Sequence, residues 1–293
     1  MTMGCDGLVV VDKAAGWTSH DVVAKLRGVL GTKKVGHSGT LDPDATGVLL
    51  VGVGSVTRLL RFVTVLPKSY TGEVVLGVET STLDAAGEVT ATHDMAGVTL
   101  EEVQAAAATL TGEIMQVPPM VSAVQVGGRR LHELARKGIE VERQARRVTV
   151  LRLEVDPSDD PLVFRIDVRC SSGTYVRSLA ADLGRALGGG AHLRDLRRTE
   201  IGSFTVEEAR AIEKVDRSAL LAPAVAMRDY KQISVEGDVV DAVAHGKVLP
   251  VETLGVTDEG PWVLVDDAGT MLAVYEHHRP GTVKPAVVLP RAQ

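Results

Sequence analysis

The chain has 293 residues, 45% of them hydrophobic and 24% charged, with a formal net charge of -6; this is the composition of a globular protein with room for one large domain and a small one. Its two cysteines, Cys5 and Cys170, stand far apart without metal-ligand spacing, which argues against a disulfide framework or a cysteine zinc site and suits a reducing cytoplasm. No apolar run approaches a membrane span and no basic leader precedes an apolar stretch, so neither a span nor a signal peptide is expected.

In chain order, Gly7 to Asp12 predicts a buried strand and Lys13 to Trp17 a turn. Thr18 with Asp21 forms a near capping box for a helix whose stripe is Val22, Leu26, Val29 and Leu30, stopped by Gly31. The segment Gly36-His37-Ser38-Gly39-Thr40-Leu41-Asp42-Pro43-Asp44-Ala45-Thr46-Gly47 follows, and then the apolar run Val48 to Val53. A stiff polar loop feeding a buried strand can hold a reactive side chain still, and Asp42 is the candidate; the same composition also suits an ordinary turn. Leu59, Leu60 and Val63 mark a short helix ended by Pro67. Tyr70, Gly72, Val74, Leu76 and Val78 recur with period two, a strand. Tyr70 at its start is either half-buried core or a flat ring presented to a base. Thr80 to Gly87 is a polar loop, and Thr99 with Glu102 caps a helix over Val103 to Leu110.

Pro118-Pro119 opens the segment Met120 to Val126, which turns at Gly127-Gly128 into a short basic helix, Arg129 to Lys137. Val148 to Val155 and Leu162 to Cys170 read as a hairpin. Tyr175 to Leu187 reads as a helix with Val176, Leu179, Ala180 and Leu183 on one face. Arg177 lies off that stripe near the positive end of the helix dipole, which suits an anionic partner or plain solvent. His192 to Arg198 is a second basic stretch, and Glu207 to Ala226 predicts a helix broken at Pro223. From Tyr230 the texture turns β-rich, so the expected boundary falls near Arg228, dividing residues 1–228 from 229–293. The expected class is α+β, with antiparallel pairing rather than a β-α-β repeat.

The bases cluster. Arg129, Arg130 and Arg136 belong to one run, and Arg185, Arg194, Arg197 and Arg198 to another. An acidic protein with basic stripes can bind RNA on one face, and two solvated helix faces would look the same. No Walker loop, dinucleotide fingerprint or Ser-His-Asp order is present, and His37 with Asp42 lacks further ligands for a metal. A carboxylate in a stiff loop, an arginine at a helix start and two tyrosines fit covalent or acid–base work on a planar, anion-bearing ligand such as RNA.

These residues resemble the bacterial tRNA pseudouridine synthase B family, the TruB type. The loop Gly36 to Gly47 is similar to its G-H-x-G-x-L-D-P-x-A-x-G signature, and Lys68-Ser69-Tyr70 to its K-x-Y strand. Pro118-Pro119 with Ser122-Ala123, Gly128 and Ala135-Arg136, then Gly173-Thr174-Tyr175-Val176-Arg177, then Leu196-Arg197-Arg198-Thr199 with Gly202 and Phe204, follow in the family's order. The turn Lys13-Ala14-Ala15-Gly16 lacks the family's usual proline, Gln125 stands where lysine is frequent, and His132 where tyrosine is.

The resemblance implies a catalytic domain around a mainly antiparallel mixed sheet, followed by a small PUA-like RNA-binding domain. It implies an isomerase that converts the T-loop uridine of tRNA, uridine-55, to pseudouridine by base flipping. Neither a cofactor nor a metal is implied, and the expectation is a cytoplasmic monomer with tRNA (T-arm) as partner, no membrane and no obligate protein partner. Asp42 matches the catalytic aspartate, Arg177 its arginine partner and Tyr70 the tyrosine that stacks on the base. Tyr175 and Leu196 match substrate-pocket positions, and His37 the histidine that fills the opened T-loop. Lys13, Ser122, Arg129, Arg130, Arg136, Arg197 and Arg198 are the expected RNA contacts. Two other readings share these features: a tRNA-binding chaperone whose catalysis is incidental, and a synthase of the same superfamily acting on another RNA.

Overall fold

The computed structural model describes residues 6–290 except 123, 124, 127, 132, 133, 135–137 and 140. At its centre β1 (Gly7–Lys13) and β3 (Thr46–Val53) pair antiparallel along their lengths. Both strands are apolar on both faces because both faces are covered. Val9, Val11, Leu49 and Val51 pack against α1 (Ser19–Leu30) through Val22, Val23, Leu26 and Leu30. Leu8, Val10, Val48 and Leu50 face the opposite way, into a second cluster. Thr18 and Asp21 close a complete capping box on α1, and Gly31 ends it in the left-handed region. Of the expected stripe only Val29 is exposed; Val23 is buried instead.

The short β2 (Val35–His37) pairs with β3, and α2 (Leu60–Thr64) leads to β4 (Lys68–Leu76). Period two holds in β4: Tyr70, Gly72, Val74 and Leu76 are buried while Thr71, Glu73 and Val75 are partly exposed. Gly77, at φ 82, then breaks the strand before the hairpin β5 (Val78–Thr80) and β6 (Val89–Thr92). Thr99 caps α3 (Leu100–Thr109) with the expected box. Beyond it lie β7 (Gly112–Gln116), the small hairpin β8 (Gln125–Val126) and β9 (Arg129–Arg130), then β10 (Arg146–Pro157) and β11 (Val163–Cys170). Last come α4 (Val176–Ala186), β12 (Ala191–Ile201), β13 (Phe204–Thr205) and β14 (Arg210–Ala211). The main sheet runs β14-β1-β3-β12-β4-β11-β10-β7, antiparallel except at β14/β1 and β3/β12. Helices α3 and α4 cover one side of β4, β11 and β10 through Val103, Ala107, Leu179 and Leu183. The other side is polar and ion-paired, with Arg194 on Glu73 at 2.5 Å, Arg152 on Asp167 at 2.5 Å and Ser69 donating to Glu200 at 2.8 Å.

Three expectations are corrected. Glu207 to Ala226 is not helical but a run of single 3-10 turns, β14 and a one-turn α5 (Pro223–Ala226). Besides local turn bonds it pairs with β1: Arg210 pairs with Val11, and Leu8 exchanges hydrogen bonds with Leu221 at 2.9 and 2.8 Å. Arg129 and Arg130 lie on a strand rather than at the start of a helix. The second basic stretch lies on β12, whose alternation divides its charges between two faces.

The C-terminal unit is a five-stranded sheet, β15 (Gln232–Ser234), β17 (Trp262–Val265), β18 (Met271–His277), β19 (Thr282–Val288) and β16 (Leu249–Pro250) in that order, with α6 (Asp238–Ala244). One face closes on itself around Trp262, Leu264, Tyr275 and Val243. The other face, Val263, Met271, Val274 and Val287, shares one cluster with Leu8, Leu50, Phe62 and Phe204 of the larger unit. Burying each such side chain contributes about 1.5–3 kcal/mol. Tyr230 Oη donates to Phe62 O at 2.7 Å, and Arg58 and Arg61 donate to Val288 O and Ala286 O at 2.7 and 2.8 Å. Among the described residues no helix is long and apolar enough to cross a membrane.

Candidate active site

Asp42 sits in the loop between β2 and β3. The loop is fastened from below. Ser19 Oγ, buried on α1, accepts from Leu41 N at 2.9 Å and donates to Leu41 O at 3.2 Å. The Lys13 ammonium donates to Pro43 O at 2.9 Å, Trp17 O at 2.7 Å and Ala14 O at 3.0 Å. Arg198, buried in β12, donates to Val48 O at 2.7 Å and Gly39 O at 3.3 Å. Gly47 has φ 100, and a Cβ there would stand 2.1 Å from Arg198 O, so only glycine lets β3 and β12 meet at this point. Lys13 and Arg198 thus donate to carbonyls of the loop and of the segments that flank it, and both are 1% exposed. Burial pushes the Lys13 pKa down to about 8, against the pull of Asp42 and Asp44.

Arg177, on the first turn of α4, is buried to 4% exposure. Nε lies 3.0 Å from Asp42 Oδ2, and Nη2 3.4 Å from Asp42 Oδ1 and 2.7 Å from Val121 O. Nη1 lies 3.0 Å from Thr82 O and 3.2 Å from Asp84 Oδ2. All three nitrogens are engaged, so the plane of the guanidinium is fixed. Gln116 holds the start of the helix, accepting from Tyr175 N at 2.7 Å and donating to Tyr175 O at 3.1 Å.

The electrostatics are not those of a simple ion pair. Burial raises the Asp42 pKa above its ordinary value, Arg177 opposes that, and the charge of Asp84 adds to it. The net direction is upward, so Arg177 offsets the cost of burying this carboxylate without overcoming it. In the sequence Asp84 is one acid in a polar loop with nothing to single it out; its position under Arg177 comes from tertiary contact.

Two cavities meet at Asp42, Arg177 and Leu196. One, of about 280 Å³, is lined by Tyr70, Tyr175, Lys68 and Arg198 among others. The other, of about 360 Å³, is lined by Asp84, Ala85, Val121 and Leu193 among others. Tyr70 is 7% exposed. Burial raises its pKa, against the pull of Arg198, so its phenol is neutral at pH 7. Lys68 donates to Thr64 O and Leu66 O, both at 2.8 Å, and burial lowers its pKa to about 8.

The fold therefore brings Asp42, Tyr70, Tyr175, Arg177 and Leu196 together. His37 lines neither cavity; burial lowers its pKa, so its imidazole is neutral. Ser122 is buried beside Tyr70 in the smaller cavity. Arg197 faces the opposite side of the sheet and is paired with Asp12 at 2.9 Å. Arg129 is exposed, while Arg136 and the side chain of Arg130 lie outside the described residues. Among the described residues no group of three or more His, Cys, Asp or Glu could hold a metal ion.

The model of the TruB family pseudouridylate synthase N-terminal domain matches residues 27–176, and that of the tRNA pseudouridylate synthase B C-terminal domain matches residues 177–254. A protein of Rhodococcus jostii (strain RHA1), named tRNA pseudouridine synthase B, is 47% identical over 277 residues, covering 92% of this chain and 90% of that protein. One of the same name from Halalkalibacterium halodurans is 41% identical over 306 residues, covering 99% and 100%. Among solved structures, a crystal structure of a Cbf5-Nop10-Gar1 complex matches with a TM-score of 0.72 and 26% identity, over 92% of this chain and 78% of that one.

Proposed function

We propose that this protein, which belongs to the TruB family of pseudouridylate synthases, isomerises the T-loop uridine of tRNA, uridine-55, to pseudouridine over Asp42. One observation carries the reading: the partly exposed carboxylate of Asp42 stands where two cavities meet, held by the buried Arg177 at 3.0 Å. Relatives named for tRNA, similar over nearly their whole length, support the substrate.

The uridine leaves its stack to reach the cleft, at a cost of about a few kcal/mol. Stacking on the Tyr70 ring returns roughly 1–3 kcal/mol of that. His37, neutral and flat, fills the gap left in the RNA loop. The bond from ribose C1′ to uracil N1 breaks, the uracil turns, and C1′ bonds to C5; the C5 proton is lost and N1 gains one, so atoms balance without a co-reactant. Asp42 serves as the carboxylate of this sequence, by attack on the sugar, attack on the uracil or abstraction of a sugar proton. Arg177 fixes its direction, and Leu196 and Tyr175 close the pocket around the base. Asp84, which touches Arg177 at 3.2 Å, is a positioning residue. Exposed arginines such as Arg129 meet phosphates, whereas Lys13 and Arg198 hold the catalytic loop. Residues 229–293 act as a second RNA-binding unit.

The test is chemical mapping of pseudouridine in a tRNA transcript after treatment with wild-type or Asp42→Asn protein. One modified T-loop position with wild type, and none with the variant at retained tRNA binding, is expected. Modification elsewhere overturns the substrate, and near-normal turnover by the variant overturns the site.

A further inference from the structure

We propose that a bulge at Asp195, with its backbone in the left-handed region, is the device that turns Leu196 and Arg198 toward the cleft, making Asp195 a positioning residue for the reaction proposed above, on which this inference rests.

Strand parity carries it. Arg194 of β12 pairs with Glu73 of β4, and Arg197 pairs with Thr71. Between them Asp195 and Leu196 stand opposite the single residue Gly72. An extra residue in one strand reverses the facing of everything after it. Leu193 packs into the core under α3 and α4, and Leu196, three residues on, packs against that same core. Arg194 and Arg197, also three apart, both reach acids on the opposite face, Glu73 and Asp12. In an unbroken strand residues three apart face opposite ways. Without the bulge, Arg197 would enter the cleft and Leu196 and Arg198 would leave it. A second irregularity, between Arg198 and Glu200, adds one more residue to β12 and restores the original facing. Leu196 to Arg198 is therefore a short phase-shifted window, and it is the part of β12 that meets Tyr70 and Asp42.

Backbone conformation supports the same point. Among the described residues only two that are not glycine have positive φ: Asp195 at 53° and Leu83 at 64°. Asp tolerates this region and β-branched residues do not. Strain of this kind concentrates at sites where geometry matters. Leu83 O accepts from Leu193 N at 3.0 Å, and its neighbours Thr82 and Asp84 both reach Arg177, so the two unusual residues lie on adjoining segments at the cleft. Gly72 completes the device, since its Cβ position is already 3.6 Å from Leu196 Cα and 3.3 Å from Arg194 O.

The experiment compares wild type with Asp195→Gly, Asp195→Asn and Asp195→Val for tRNA affinity, KM and kcat on a tRNA transcript. The glycine and asparagine variants, which accept the left-handed backbone, should keep kcat within about twofold. The valine variant should lose about tenfold to a hundredfold in kcat with KM and affinity nearly unchanged, because the reacting groups are misplaced while the RNA surface is intact. Wild-type kcat in Asp195→Val overturns the proposal, as does an equal loss in Asp195→Gly, which would assign the effect to the carboxylate. If the valine variant does not fold, Asp195→Ala is read by the same criteria with a smaller expected loss. A crystal structure of the valine or alanine variant decides the geometry apart from turnover: Leu196 displaced from the cleft supports the bulge, and Leu196 unmoved overturns it. Wild-type protein inactive on tRNA would refute the substrate reading, while the position of Leu196 in the variant crystal would still decide the role of the bulge.

Discussion

Asp84 is paired with Arg177 at 3.2 Å through Nη1, the guanidinium corner that Asp42 leaves open. Two carboxylates thus share one buried cation, and they act on each other. The charge of Asp84 helps hold the Asp42 pKa above its ordinary value.

Asp84→Asn should therefore change the pH dependence and not only the rate. In the proposed reaction Asp42 works ionised, so turnover should fall as pH drops through its pKa. Removing the like charge lowers that pKa and moves the acid limb of the kcat profile to lower pH. The plateau rate should fall about tenfold as Arg177 loses one constraint. A profile that spans the acid limb of the wild type and shows it unmoved in Asp84→Asn would contradict the coupling.

Asp42→Asn should be inactive yet more resistant to heat. A carboxylate whose folded pKa lies above its unfolded value of 3.8 costs stability when ionised. That cost is fully present above the folded pKa and disappears below the unfolded one. Asparagine carries no such cost, and Asp84 remains as counter-ion to Arg177. The Tm of the variant should exceed that of wild type at pH 8, with the gap closing toward pH 4. A lower Tm at pH 8 would show that the Arg177 pair outweighs burial.

For Lys13→Met the expected loss is about 2 kcal/mol of stability, since the carbonyls of Ala14, Trp17 and Pro43 lose their shared donor. Activity should fall with it, because Pro43 adjoins Asp42, while tRNA affinity stays. Weakened tRNA binding with unchanged stability would instead make Lys13 a phosphate contact.

Calorimetry should give one unfolding transition for the whole chain. Phe62 lies in the larger unit yet shares a cluster with Val263, Val274 and Val287 of the C-terminal sheet. Phe62→Ala should cost about 3–4 kcal/mol and move that single transition downward. Deleting residues 229–293 strips this apolar face and should give an aggregating product; a soluble, fully active fragment would show that the shared cluster contributes little.

Local signals in the sequence carried local structure. The Thr18 and Thr99 boxes cap their helices, and the alternation from Tyr70 to Leu76 is the buried face of β4. Spaced motifs found Asp42, Tyr70, Arg177 and Leu196, which the fold gathers around one cleft. What stayed hidden depends on partners distant in sequence. Asp84 has no distinguishing neighbours in its loop. Arg177 sits off the apolar stripe of its helix yet is buried, because oxygens from three other segments surround it. Glu207 to Ala226 has a helical pattern but is held instead by short turns and by pairing with β1 at Arg210, Ala211 and Leu221. The phase shift in β12 needs the partner strand before the extra residue can be counted.

The contact between Gly47 and Arg198 has a mechanical consequence. A Cβ at 47 would stand 2.1 Å from Arg198 O, so no side chain cushions the two strands there. Whatever displaces β12, an RNA pressing on Leu196 included, is transmitted backbone to backbone into the strand that carries the Asp42 loop. Carboxylate and pocket wall are then one rigid part, and induced fit must come from the RNA or from segments on the far side of the cleft.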